Sequence, residues 1–210
     1  MIWIYYSLFR SKFSPETTRR LSKSVTFDPR FPSVTFRRWQ DTQAHLIGRL
    51  LLARGAAAMG FPSLPTIRYS EYHRPYVDLP LDFSISHSGE YVLCALADDR
   101  RIGVDIEKIR PIELADLRLS FSDQEWNDIT RVQDSSYRLF DHWTRKEAIA
   151  KADGRGMHVA GLITLNGLEA EVEGVSYVLD KLTFAEDYCS YVASQEVDRS
   201  AISYTKVEFE

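Results

Sequence analysis

Residues 102–107 read Ile-Gly-Val-Asp-Ile-Glu. As a strand they point Ile102, Val104 and Ile106 to one face and Gly103, Asp105 and Glu107 to the other. Two carboxylates then stand roughly 6–7 Å apart by strand rise, close enough to want a cation. Gly103, in line with them, leaves that face open to something bulky. A second stretch, Trp143 to Lys151, has no Gly or Pro and good helix formers. On a helical wheel Phe140, Trp143, Glu147 and Lys151 share a stripe, which puts Glu147 on the aromatic side. Three carboxylates and a lysine able to converge suggest a divalent-metal site for phosphate chemistry, with Asp105, Glu107 and Glu147 as ligands. Hard oxygen donors without a His/Cys cluster suit Mg2+ better than zinc. The plain structural alternatives are a half-exposed strand face and an i,i+4 pair of Glu147 with Lys151.

The elements that must position these groups follow from local pattern. Phe83-Ser84-Ile85-Ser86 alternates as a strand, and His87-Ser88-Gly89 is expected to turn out of it. Hydroxyls, an imidazole and exposed N–H groups at such a turn make an anion cradle. Ser86 and His87 point oppositely on a strand, so phosphate binding is a better reading than a shared-proton nucleophile. Tyr91–Ala97 reads as a buried strand, with Arg101–Glu107 as its hairpin mate across Asp98-Asp99-Arg100. That pairing would set the carboxylates beside the cradle. Asp41 is a plausible N-cap for a helix whose buried stripe is Leu46, Ile47, Leu50 and Leu51, ended by Gly60 and Pro62. His45, Arg49 and Arg54 lie on its polar face. Ser122-Asp123-Gln124-Glu125 is a capping box. Gly154 to Met157 reads as a flexible loop. Strands are expected at Ile2–Phe9, Leu162–Leu165, Val175–Leu179, Tyr188–Ala193 and Ile202–Phe209, the last four in the second half.

The order and spacing of Asp82-Phe-Ser-Ile-Ser-His-Ser-Gly89, Ile102–Glu107, Phe140-Asp-His-Trp-Thr-Arg-Lys-Glu-Ala148, Lys151 and Gly154-Arg-Gly-Met157 resemble the 4′-phosphopantetheinyl transferases. The resemblance is to the longer single-chain type that activates peptide and polyketide synthetases, and it runs from about Tyr72 to Met157. It implies an α+β fold of two similar subdomains related by a pseudo-twofold, each an antiparallel sheet packed by helices, with the active site between them. The subdomains would be 1–99, on the coenzyme A nucleotide side, and 100–210, carrying the metal and the catalytic helix. Coenzyme A would be the co-substrate and Mg2+, with Mn2+ as a substitute, the metal. An acyl- or peptidyl-carrier protein would be the partner, with the enzyme a monomer. Glu147 is implied as base, with Lys151 steadying the phosphates, and Glu125 stands as a further catalytic candidate, although the capping box explains it fully. Ser86, His87, Arg74, His45 and Lys151 are the implied coenzyme A contacts. Arg30, Arg37 and Arg38 are available to the 3′-phosphate, with Arg38 carried forward. His73 stands where the family usually has glycine.

Composition narrows the alternatives. The chain has 210 residues, a net charge of −4 and 44% hydrophobic content, enough for a sizeable core. Residues 1–100 carry a net +4 and residues 101–210 a net −8. An acidic protein without a basic face is a poor nucleic-acid binder, which weighs against a metal-dependent nuclease. A non-catalytic carrier-binding relative is the other rival, opposed by the full set of catalytic groups. Cys94 and Cys189 lack CxxC spacing or scaffold density, so free thiols in a reduced, cytoplasmic setting are expected. No signal peptide or membrane span is expected, because Arg10, Lys12, Arg49 and Arg54 interrupt the apolar runs.

Overall fold

A computed structural model describes residues 1–25, 36–63, 66–98, 100–112, 114–195 and 201–209. The chain divides into two compact units, Met1–Arg100 with Ser200–Glu210, and Arg101–Arg199. Each is α+β, a largely antiparallel sheet packed by helices. Among the described residues no helix is long and apolar enough to cross a membrane.

The first unit contains β1 (Ile2–Leu8), α1 (Pro15–Ser22), α2 (Trp39–Ala58), β2 (Arg68–Tyr69), β3 (Pro75–Tyr76), β4 (Asp82–Ser88) and β5 (Tyr91–Ala97). The second contains β6 (Ile102–Lys108), α3 (Asp123–Thr130), α4 (Ser135–Asp153), β7 (Ile163–Asn166), β8 (Glu169–Val172), β9 (Val175–Lys181) and β10 (Tyr188–Ser194). A last strand, β11 (Ile202–Lys206), returns to the first unit and pairs parallel with β1. The expectation of a second-half strand there is corrected: Ile2–Leu8 offers an edge that the C-terminal strand covers.

The first sheet runs β11-β1-β5-β4 and the second β6-β10-β9-β8-β7. This corrects the expected hairpin of Tyr91–Ala97 with Arg101–Glu107. Both edges of β5 are already taken, by β1 and β4, while β6 pairs with β10. Hairpin connectivity therefore does not set the β6 carboxylates beside the Ser86–His87 strand.

In the first unit α2 buries Ile47, Leu51 and Leu52 against Tyr5, Phe83, Val92 and Leu96. Its N-cap is Arg38 rather than Asp41, which lies inside the first turn, and no side chain caps the helix. The acidic residue still sits favourably near the positive end of the helix dipole. In the second unit α4 lies on β6 and β10, with Ala148, Ile149 and Ala152 packed beside Leu179, Tyr191 and Ala193. Gly154 ends α4 at φ +96°, the left-handed stop that glycine permits. In the stretch after it, Arg155 makes two ion pairs, with Asp153 at 2.7 Å and Glu173 at 2.6 Å.

Candidate functional site

The opening that Gly103 leaves on β6 is filled by α4. A Cβ on Gly103 would lie 2.0 Å from the Ala148 carbonyl oxygen and 2.4 Å from the Ala152 nitrogen. The helix therefore lies directly against the Gly103 face, and Asp105, two residues on, faces the same way. Asp105 is 3% exposed, and its Oδ1 accepts a 2.7 Å bond from Lys151 Nζ. The same ammonium donates to the Val104 carbonyl at 3.2 Å. Asp105 Oδ2 is buried and accepts no hydrogen bond. Glu147, one turn before Lys151, is half-buried. Burial pushes its carboxyl above the ordinary range, Lys151 pulls it back and Asp105 adds to the rise. Asp105, Glu147 and Lys151 therefore share one electrostatic neighbourhood.

Glu107 is half-buried further along β6, in register with Cys189. Among the described residues no three His, Cys, Asp or Glu side chains stand close enough to hold a metal by themselves. The donor chemistry is nonetheless suited to a hard cation. Mg2+ is commonly held by one or two carboxylates, with water and substrate phosphates completing the shell. Asp105 and Glu147 provide such a pair, and the second has a carboxylate whose charge burial disfavours.

Glu125 has a different setting. Ser122 Oγ accepts from the Glu125 N–H at 3.2 Å, and Glu125 Oε2 accepts from the Ser122 N–H at 2.8 Å, so the capping box is formed. The same Oε2 accepts from Lys146 Nζ at 2.8 Å. Lys146 is only 2% exposed, lies 5.4 Å over the Phe121 ring and also donates to the Ser120 carbonyl at 3.1 Å. Burial pushes the Glu125 carboxyl up, but the bonds from Lys146 and Ser122 and the Lys146 charge outweigh it, leaving it below the usual range. Lys146 is the residue sequence reasoning passed over. Its signal was a lysine on the same helical face as Leu139 and Ile149.

This pair carries a prediction. Lys146→Met leaves the half-buried Glu125 carboxylate without its cation, and the expected cost is about 2–3 kcal/mol in urea unfolding, below that of a fully buried pair. The double change with Glu125→Leu should recover much of it, because the stranded charge is gone. A Lys146→Met melt indistinguishable from wild type would show that the pair does not hold α3 to α4.

In the first unit β4 continues through Ser88, and the turn is Gly89-Glu90, with Gly89 at φ +57°. The expected turn at His87-Ser88-Gly89 is corrected by this, because His87 and Ser88 remain in register with Val92 and Tyr91. Ser86 is buried and His87 exposed, the opposite orientations expected of strand neighbours. Gly48 of α2 packs closely on β4, where a Cβ would be 2.8 Å from Ile85 Cγ2. His45, one turn before Gly48, thereby comes near His87, two residues after Ile85. Burial lowers the His45 pKa to about 4, with Arg49 and His87 adding to the fall. His45 is neutral at pH 7. Arg49 donates to the Tyr69 hydroxyl at 2.8 Å, a neighbour the sequence did not announce.

Arg74 is buried, and its guanidinium forks onto Asp82 at 2.8 and 2.5 Å. The bidentate geometry expected for a phosphate is here used on a carboxylate. His73 sits at φ +60°, in the left-handed region that glycine favours. Arg37 and Arg38 are exposed, whereas Arg30 lies outside the described residues.

A family model for the 4′-phosphopantetheinyl transferase superfamily matches residues 101–202. The 4′-phosphopantetheinyl transferase Sfp of Bacillus subtilis (strain 168) is 30% identical over 200 residues, 92% of this chain and 87% of its own length. The 4′-phosphopantetheinyl transferase ffp of Bacillus subtilis is 34% identical over 159 residues, 72% of this chain and 70% of its own. The 4′-phosphopantetheinyl transferase AcpT of Escherichia coli (strain K12) is 34% identical over 112 residues, half of this chain and 57% of its own. With its two α+β units and its β6–α4 carboxylates, the chain belongs to the 4′-phosphopantetheinyl transferase superfamily. Its similarity to Sfp, extending over most of both chains, makes it a transferase of the Sfp type.

Proposed function

We propose that this enzyme transfers 4′-phosphopantetheine from coenzyme A to a serine of an acyl- or peptidyl-carrier protein, with Mg2+, releasing 3′,5′-ADP. The observation that carries the proposal is the grouping of Asp105, Glu147 and Lys151 on β6 and α4. The serine oxygen forms a bond to the β-phosphorus of coenzyme A as the phosphorus–oxygen bond to the nucleotide breaks. Glu147 takes the serine proton, directly or through a water. Its raised affinity for a proton suits it to that work. Asp105 and Glu147, with Glu107 as an outer partner, would hold Mg2+, which when bound neutralises charge developing on the pyrophosphate. Lys151, fixed by Asp105, stabilises the phosphate oxygens.

Ser86 and His87 are assigned to coenzyme A phosphates, and His45 with Arg49 to the nucleotide end. Arg38 is assigned to the 3′-phosphate. Arg74 enters through its hold on Asp82, and Glu125 through its hold on Lys146. Two buried free thiols suit work in a reducing compartment such as the cytoplasm.

Intact-mass spectrometry of an apo carrier protein incubated with enzyme, coenzyme A and Mg2+ tests the reading. The expected result is a gain of one phosphopantetheine that disappears with EDTA. No gain across several carrier types, with coenzyme A still bound, would leave a carrier-binding protein without transfer.

A further inference from the structure

The second unit carries a groove of about 1080 Å³ whose lining includes neither Asp105 nor Glu107. One wall is β7, the strand that ends the sheet. The other is formed by α3, the turn after it and the first half of α4.

β7 and β8 are joined by the two-residue turn Gly167–Leu168, with Gly167 at φ +64° as a type II′ turn requires. Asn166 and Glu169 close that hairpin as a hydrogen-bonded pair, so the N–H and C=O groups of Ile163 and Leu165 point away from β8. They point along the edge where the groove lies. A strand edge beside a groove is the geometry that accepts an extended peptide as an added strand.

The opposite wall selects the charge of such a peptide. Arg131 is exposed at the groove and Arg138 is half-buried in it. The carboxylates on this wall are already engaged. Asp128 accepts from Arg138 Nε at 3.0 Å and bonds His142 Nε2 at 2.8 Å, and Glu125 is held by Lys146. Arg145 is likewise engaged, by Asp141. Arg138 is matched by Asp128, so Arg131 is the positive charge left over on this wall, and Val132, 40% exposed, offers an apolar seat beside it.

We infer that this groove takes an extended acidic peptide segment of a partner protein, hydrogen-bonded to the outer edge of β7 and with a carboxylate toward Arg131. The inference is independent of the transfer chemistry.

A fluorescein-labelled peptide of about ten residues, the reach of a single paired strand, alternating Glu with Val, tests it by anisotropy against the full chain. Saturable binding is expected, unchanged by saturating coenzyme A and lost when Glu is replaced by Lys. Leu165→Pro removes one outward N–H while leaving the β8 side of the ladder in place, and should weaken binding about tenfold. Arg131→Glu, at an exposed position, should also weaken it about tenfold. Far-UV circular dichroism verifies that Leu165→Pro is folded, and if it is not, Arg131→Glu decides alone. No saturable binding, equal binding of the Lys peptide, competition by coenzyme A or indifference to Arg131→Glu would each overturn the inference. So would a dimer, seen by sedimentation, that Leu165→Pro dissociates, because a second copy would then occupy the edge.

Discussion

Gly103→Ala should be among the most damaging single-methyl additions in this chain. The new Cβ would meet the Ala148 carbonyl oxygen at 2.0 Å and the Ala152 nitrogen at 2.4 Å. Both are backbone atoms in the last two turns of a 19-residue helix, so no side-chain rotation relieves the clash. The helix must shift off β6, weakening the contact of α4 with both β6 and β10. Overpacking usually costs about 1–3 kcal/mol, and a clash with rigid backbone belongs above that range, at about 4 kcal/mol. The same shift pulls Lys151 from Asp105, so transfer should fail in whatever fraction remains folded. Urea unfolding measures the first effect as a lower midpoint at unchanged slope. Gly161→Ala is the control, because nothing lies within 4 Å of its added Cβ. It should stay within about 0.5 kcal/mol of wild type. A Gly103→Ala midpoint equal to that of Gly161→Ala would mean that β6 and α4 are not in contact.

Gly103 also shows what the sequence makes legible and what it leaves out. Alternation on 102–107 assigned Gly103 and Asp105 to one face and foresaw a close approach. It did not say what approaches. Local signals served best where the cause is local. The Ser122 capping box, the buried stripe of α2 and the strand Tyr91–Ala97 are all fixed by neighbours in sequence. Pairing is not local. β5 and β6 are adjacent in sequence and belong to different sheets, because β1 and β4 claim the edges of β5. β8 escaped notice because Glu169-Ala170-Glu171-Val172 is short and acidic, and becomes a strand through its two turns and two partners.

The candidate residues divide in the same way. Asp105 and Lys151 were legible because strand and helix periodicity each placed one of them correctly, and the structure joins them at 2.7 Å. Arg74 and Glu125 carry the residue types a phosphate site would use. Their partners, Asp82 and Lys146, lie 8 and 21 residues away in sequence, and local spacing gave no sign of either pairing. A charged group in a motif is therefore an ambiguous signal until its partner is known.

Glu147→Gln should separate the chemical role of this carboxylate from its structural cost. Removing the proposed base is expected to lower carrier-protein modification by about 10²–10⁴-fold, the usual contribution of a positioned acid or base. Stability should move the other way. The Glu147 carboxyl is pushed up by burial, so its folded-state value lies above the unfolded one. Below the ordinary carboxylate range both states are protonated and no charge is buried. As pH rises through that range the unfolded chain ionises first, and stability falls until the folded carboxyl has ionised too. Wild type should therefore lose stability relative to Glu147→Gln across this window, and the variant should melt higher at neutral pH without metal. Mg2+ with coenzyme A should raise the wild-type melting temperature, because a cation bound to the native state offsets the buried charge. The variant should respond much less. If Glu147→Gln abolished modification yet kept the full thermal response to Mg2+, the carboxylate would be a base and not a metal ligand. If it melted lower than wild type at every pH, the ionised carboxylate would be stabilising the fold, and its assignment as a burdened functional group would be wrong.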